Sequence, residues 1–171
     1  MPPDPPPVTV PGGLPDGPPG GLPDGPPGGL PDGPPGGLPD GPPGGLPDGD
    51  FPLRRFLGMA MEAAGPGRAR ARLVVSGDHH NPNGVVHGAV LFAMVDTAMG
   101  HATITVLDGG RRCASVDVQL RFIRPAIAGT LVAEASVVRR GRSIVHLDAR
   151  VEDGDGRLVA TAAGTFAILE P

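Results

Sequence analysis

The hydrophobic pattern divides the chain into stretches of different period. Over residues 1–50 one Leu recurs every eight residues among Pro, Gly and Asp, with no helical or strand period. Over residues 51–64 apolar Leu53, Phe56, Leu57, Ala60, Met61 and Ala64 fall at helical spacing, which predicts a helix closed by Gly65 and Gly67. Residues 69–76 read as a strand, and residues 78–86, rich in Asn, Pro, Gly and His, as a loop. Residues 87–103 are almost wholly apolar and long enough to be a buried helix. A turn at residues 108–110 comes next, and then apolar and polar positions alternate. Over residues 113–123 the alternation puts Val116, Val118, Leu120 and Phe122 on one face and Ser115, Asp117, Gln119 and Arg121 on the other. Further strands are expected over residues 130–139, 143–152 (Val145, Leu147, Ala149 and Val151 inward) and 158–169. Turns fall at RPAIAG, at Gly141 and at DGDG. The order is helix, strand, long helix and four strands. Short turns make the strands an antiparallel meander, whose apolar face needs a cover that the long helix can supply.

Composition sharpens the division. Residues 1–50 hold 19 of the 24 prolines, 15 of the 29 glycines and seven Asp, with no basic residue. From Gly12 the octapeptide GGLPDGPP appears four times, followed by a truncated GGLPDGD. Pro blocks helix and sheet ladders, and one Leu per repeat builds no core, so this segment is expected to be a disordered tail. A Pro-rich docking segment for an unknown partner is the alternative. Residues 51–171 form the expected folded domain, with 14 Arg, no Lys and the remaining 11 of the 18 acids, so it is mildly basic. The arginines are scattered and Trp and Tyr are absent, so nucleic acid is not indicated; an anionic small molecule fits the charge equally well. Cys113 is the single cysteine, which excludes an intrachain disulfide. With no secretory pattern at the N-terminus and no apolar run long enough to span a bilayer, a cytoplasmic protein is expected.

The chemistry concentrates in NPNGVVHGAVLFAMVDTAMG, residues 81–100. Gly88 opens the apolar helix, where free N–H groups can face a developing negative charge. Asp96 puts a carboxylate in the middle of that helix, which is costly unless compensated. An oxyanion donor and a carboxylate on one element point to acyl transfer. No metal-ligand spacing links the five His, and no GxGxxG or P-loop is present, so no metal or other cofactor is expected.

An antiparallel sheet around one long apolar helix is the hotdog fold, of class α+β. The chain resembles the hotdog acyl-CoA thioesterases, the group that includes the phenylacetate-pathway enzymes. Asn81 six residues before His87, the His87-Gly88 pair, Asp96 nine residues after His87, and the strands SVDVQLRFIRPA, GTLVAEASVVRRGRS and DGDGRLVATAAGTF carry the resemblance. Where the family often has a second glycine after the pair, this chain has Ala89.

The resemblance implies hydrolysis of an acyl- or aryl-acyl-CoA. The Gly88 N–H would polarise the thioester carbonyl and Asp96 would act as nucleophile or general base. Asn81 and Ser115 would hold the water or the thioester, and His87 would orient the loop or cap the helix. Arg124 and the turn of Gly141, Arg142 and Ser143 are candidates for the CoA phosphates. Each has a plain structural reading beside it: an Asx-turn for Asn81, a satisfied buried carboxylate for Asp96, a solvated turn for the arginines. The alternation places Ser115 on the polar face, away from the helix. Eight residues separate Gly88 from Asp96, roughly 12 Å along a regular helix, so one chain cannot bring both to one carbonyl carbon. A homodimer or homotetramer with a site at a two-fold interface is therefore expected. The rivals are a hotdog dehydratase or hydratase, for which Asp96 and His101 are a formal match, and a non-catalytic acyl-CoA-binding scaffold localised by the tail.

Overall fold

The structure, a computed structural model, describes residues 50–108 and 110–170. The expected tail, apart from Asp50, lies outside them. Helix α1 (Pro52–Phe56) is followed by β1 (Ala60–Ala63), β2 (Arg68–Val74), the long helix α2 (Gly88–Ile104), β3 (Arg112–Phe122), β4 (Thr130–Arg140), β5 (Ile144–Asp153) and β6 (Leu158–Leu169). The six strands form one antiparallel sheet in the order β1-β2-β4-β5-β6-β3, with α2 packed against its inner face. This is the hotdog arrangement.

The first expected helix is corrected. It ends after one and a half turns, because Gly58 takes φ 62°, a left-handed value that a helix cannot contain. Residues beyond it pair instead with β2, Ala60 opposite Arg72 through Ala63 opposite Ala69. The inner face of the sheet is built of small residues. Ala69 and Ala71 on β2 and Ala133 and Ala135 on β4 are buried beside Leu73 and Leu131, and their short side chains let the helix lie close. On β6 Gly164 continues this: a Cβ there would stand 2.7 Å from Met99 Sδ and 3.3 Å from the Asp117 carbonyl oxygen.

Helix α2 buries Val90, Leu91, Met94, Val95, Ala98, Met99, Ala102 and Thr103. The opposite stripe, running through Gly88, Phe92, Ala93, Asp96, Gly100 and Ile104, remains partly open, with Phe92 42% exposed. A helix apolar on every side is left half-covered.

The expected faces of β3 are also corrected. Ser115 lies opposite Phe166 and Asp117 opposite Thr165, so Val116 is an inserted bulge residue, 65% exposed rather than inward. The bulge reverses the alternation. Cys113 and Ser115 before it face the helix side, as do Val118 and Leu120 after it. Among the described residues no helix is long and apolar enough to cross a membrane.

Candidate active site

The loop before α2 is pinned at several points. The Val86 N–H donates to the Ala126 carbonyl at 2.8 Å and the His87 N–H to the His79 carbonyl at 2.8 Å. His79 is buried, accepting from the Ser76 N–H at its Nδ1 (2.9 Å) and donating from Nε2 to the Leu57 carbonyl (3.2 Å). His87 is the N-cap of α2: its Nδ1 accepts from the Ala89 N–H at 3.0 Å and its carbonyl from the Val90 N–H at 2.9 Å. The Gly88 N–H, by contrast, finds no acceptor among the described residues. His87 thus ties up the neighbouring donor and leaves that of Gly88 at the positive end of the helix dipole.

Gly88 lines a cleft with Asn81, Leu91, Phe122, Ile123 and Arg124. The Phe122 ring lies over it, 2.8 Å from where a Cβ would stand. Asn81 does form the Asx-turn: its Oδ1 accepts from the Asn83 N–H at 2.9 Å, which leaves its amide donors for the cleft. Arg124 has no carboxylate within ion-pair distance among the described residues.

Asp96 belongs to a second cleft, lined by Phe51, Leu53, His101, Cys113, Ser115 and Phe166 among others, and no residue is shared between the two. Asp96 Oδ1 is buried with no hydrogen-bond partner among the described residues. Burial pushes the Asp96 carboxyl above the usual carboxylate range, and a hydrogen bond from the Ser115 hydroxyl opposes that rise. Burial, with the Asp96 charge beside it, also pushes the Cys113 thiol up to about 11, so it stays protonated. A carboxylate oxygen kept dry and unpaired is expensive, and such groups cluster where chemistry is done.

The structure therefore brings Gly88, Asn81 and Arg124 together, and Asp96 with Ser115, but not the two sets. His87 lines neither cleft and acts through the helix start. Gly141, Arg142 and Ser143 sit on the turn between β4 and β5, outside both clefts. One cleft feature escaped the sequence. Phe51 and Leu53 reach the Asp96 cleft across more than 40 residues, with no local signal. His101 was readable, because positions 96, 97, 100 and 101 form one helical stripe.

The thioesterase superfamily profile matches residues 83–160. The "Putative esterase" of Halobacterium salinarum is 33% identical over 130 residues, 70% of this chain and 85% of the relative. Acyl-coenzyme A thioesterase 13 of Pongo abelii is 26% identical over 65% of this chain and 81% of its own length. The solved structure of the Escherichia coli PaaI protein, from the phenylacetic acid degradation operon, superposes with TM-score 0.65 at 25% identity, covering 69% of this chain and 84% of that one. The fold and these likenesses define a hotdog thioester hydrolase. The chain belongs to the thioesterase superfamily.

Proposed function

We propose that this thioesterase hydrolyses an acyl- or aryl-acyl-CoA to the free acid and CoA in a site shared by two subunits. The observation that carries the reading is the separation of the two half-sites: a free N–H at Gly88 in one cleft, a half-buried carboxylate at Asp96 in another, roughly 12 Å apart along one helix. The residue midway between them is Phe92, on the open stripe of α2. A two-fold axis beside Phe92 lays two copies of α2 antiparallel and brings each Gly88 level with Asp96 of the partner subunit. The same pairing covers the open stripe and the free edge of β3, whose exposed Val116 and Phe122 are a liability in a lone subunit.

In that site the Gly88 N–H stabilises the oxyanion as the thioester carbonyl is attacked. Asp96 takes a proton from the attacking water and passes it to the sulfur as the C–S bond breaks, so that CoA leaves as the thiol. Alternatively Asp96 itself attacks the carbonyl carbon, CoA leaves as the thiolate, and water hydrolyses the resulting mixed anhydride to the free acid. Ser115 favours the charged form of Asp96 against the larger effect of burial, and Arg124, beside Gly88, meets the CoA phosphates.

The test is CoA release from phenylacetyl-, benzoyl- and medium-chain acyl-CoA by wild type and Asp96→Asn. Release by the wild type, with a loss of about 10²-fold or more in the variant, supports the reading. Turnover unchanged by the substitution removes Asp96 from the mechanism.

A further inference from the structure

One buried titratable side chain has no task in the hydrolytic step. His79 is 6% exposed within a single subunit, and both partners of its ring lie in its own chain. It ends the 3-10 turn Gly77–His79 and lines neither cleft. A backbone N–H only donates, so Nδ1, 2.9 Å from the Ser76 nitrogen, is an acceptor. A carbonyl oxygen only accepts, so Nε2, 3.2 Å from the Leu57 carbonyl, carries the proton. The ring is thereby held as the Nε2–H tautomer, with both nitrogens engaged.

The two bonds differ in reach. The bond from Ser76 is local and closes the turn. The bond to Leu57 crosses 22 residues to the C-cap of α1 and is buried, so water does not stand in for it. His80 makes a comparable tie, Nε2 to the Ile127 carbonyl at 2.8 Å, but on the exposed side where water competes. From His79 the path to the site is short. Its own carbonyl accepts the His87 N–H at 2.8 Å, and the plane of the next peptide, His87–Gly88, sets the direction of the Gly88 N–H. Residues 80–87 contain no helix or strand, only the isolated bridge of His80 with Val86, so their order rests on such ties.

We infer that His79 is a positioning residue for the reaction: its Nε2–H bond to Leu57 holds the loop before α2 so that the Gly88 N–H meets the developing oxyanion. The inference rests on the thioesterase reading for the task of Gly88, but the hold on the loop can be read without turnover.

Two substitutions separate the ring nitrogens. His79→Asn puts an amide oxygen near the Nδ1 position and keeps the bond from Ser76. His79→Gln carries an amide nitrogen to the Nε2 position and keeps the bond to Leu57. Hydrogen–deuterium exchange of the His87 amide is followed by NMR on the full chain, with amides of β5 reporting that the sheet is intact. In parallel, kcat and KM are measured on a thioester that the wild type hydrolyses. In His79→Asn the His87 amide should exchange on the order of 10-fold faster. Displacing a reacting group by about 1 Å can cost on the order of 10²-fold, so kcat should fall by that order with KM little changed. His79→Gln should keep exchange and kcat near wild type. A residue that only stabilises the fold would leave kcat unaltered well below the melting temperature. That result overturns the inference, as do equal losses in the two variants, a greater loss in His79→Gln, or an unchanged His87 exchange rate in His79→Asn. If the wild type releases no CoA from any thioester, the hydrolytic reading falls and exchange alone decides. A difference between the variants then keeps His79 as the anchor of the loop, and equal rates overturn that as well.

Discussion

Gly88 combines a free N–H with the lack of a Cβ, and a pair of substitutions separates the two. It is the first residue of α2, a position that tolerates proline, and His87 before it already has φ −63° and ψ 136°, the extended backbone that a proline at the next position requires. Gly88→Pro thus deletes the N–H with no helical hydrogen bond lost. Gly88→Ala keeps the N–H and brings the same Cβ against the free end of the Phe122 ring, which is exposed and able to swing aside. If the N–H is the oxyanion donor, kcat falls about 10²–10³-fold in Gly88→Pro and far less in Gly88→Ala, while thermal melts of the two stay close. Equal losses would assign the effect to crowding of Phe122.

Asp96 yields a pH prediction. If Asp96 is the base or nucleophile, the active form is the carboxylate, and activity is lost as pH falls through its pKa. Burial holds that pKa above the ordinary value of 3.8, which places the acid limb of kcat/KM above the usual carboxylate range. The Ser115 hydroxyl acts in the other direction by favouring the charged form. Ser115→Ala should therefore move the limb to still higher pH with the fold intact. A limb that stays put would mean that Ser115 does not touch the reacting carboxylate in the assembled enzyme.

At the scale of elements, α2 and the sheet fit because the inner face is small where the helix is large. Gly164→Ala places a methyl between Met99 Sδ and the Asp117 backbone oxygen, and the backbone side cannot yield cheaply. Urea unfolding should show a loss of about 1–3 kcal/mol, the usual effect of overpacking; no loss would show that β3 and β6 separate freely there. This packing also explains what the sequence could reveal. The long apolar run and the clean alternation over β5 are local properties, and so α2, most of the meander and the carboxylate in the helix were legible. The bulge at Val116 was not. Every second residue of 113–123 alternates convincingly in one phase, and only the pairing with β6 adds the extra residue that turns Ser115 toward Asp96. Strand β1 was hidden in the same way. Its residues have helical spacing, but Gly58 breaks the helix, and the free edge of β2 captures Ala60–Ala63.

At the scale of the whole molecule, the two half-sites give a test that no property of one subunit can imitate. Gly88→Pro leaves Asp96 intact, and Asp96→Asn leaves Gly88 intact. If each site draws on two subunits, both homodimers are inactive. In a mixed dimer one site combines the two defects and the other combines the two intact residues. Random reassociation makes half the dimers mixed with one working site in each, so co-refolding the two variants should restore about a quarter of wild-type activity. Combining the separately folded variants under conditions that keep subunits from exchanging should give no recovery. If a single subunit holds a complete site, co-refolding restores nothing, and the geometry would then require α2 to be broken between Gly88 and Asp96, contrary to its 17 continuous helical residues. A fractional recovery near one quarter would place the thioester between the N-terminus of one α2 and the middle of its partner's. The open stripe on that helix, with Phe92 at its midpoint, would then be the surface on which the enzyme assembles its own active site.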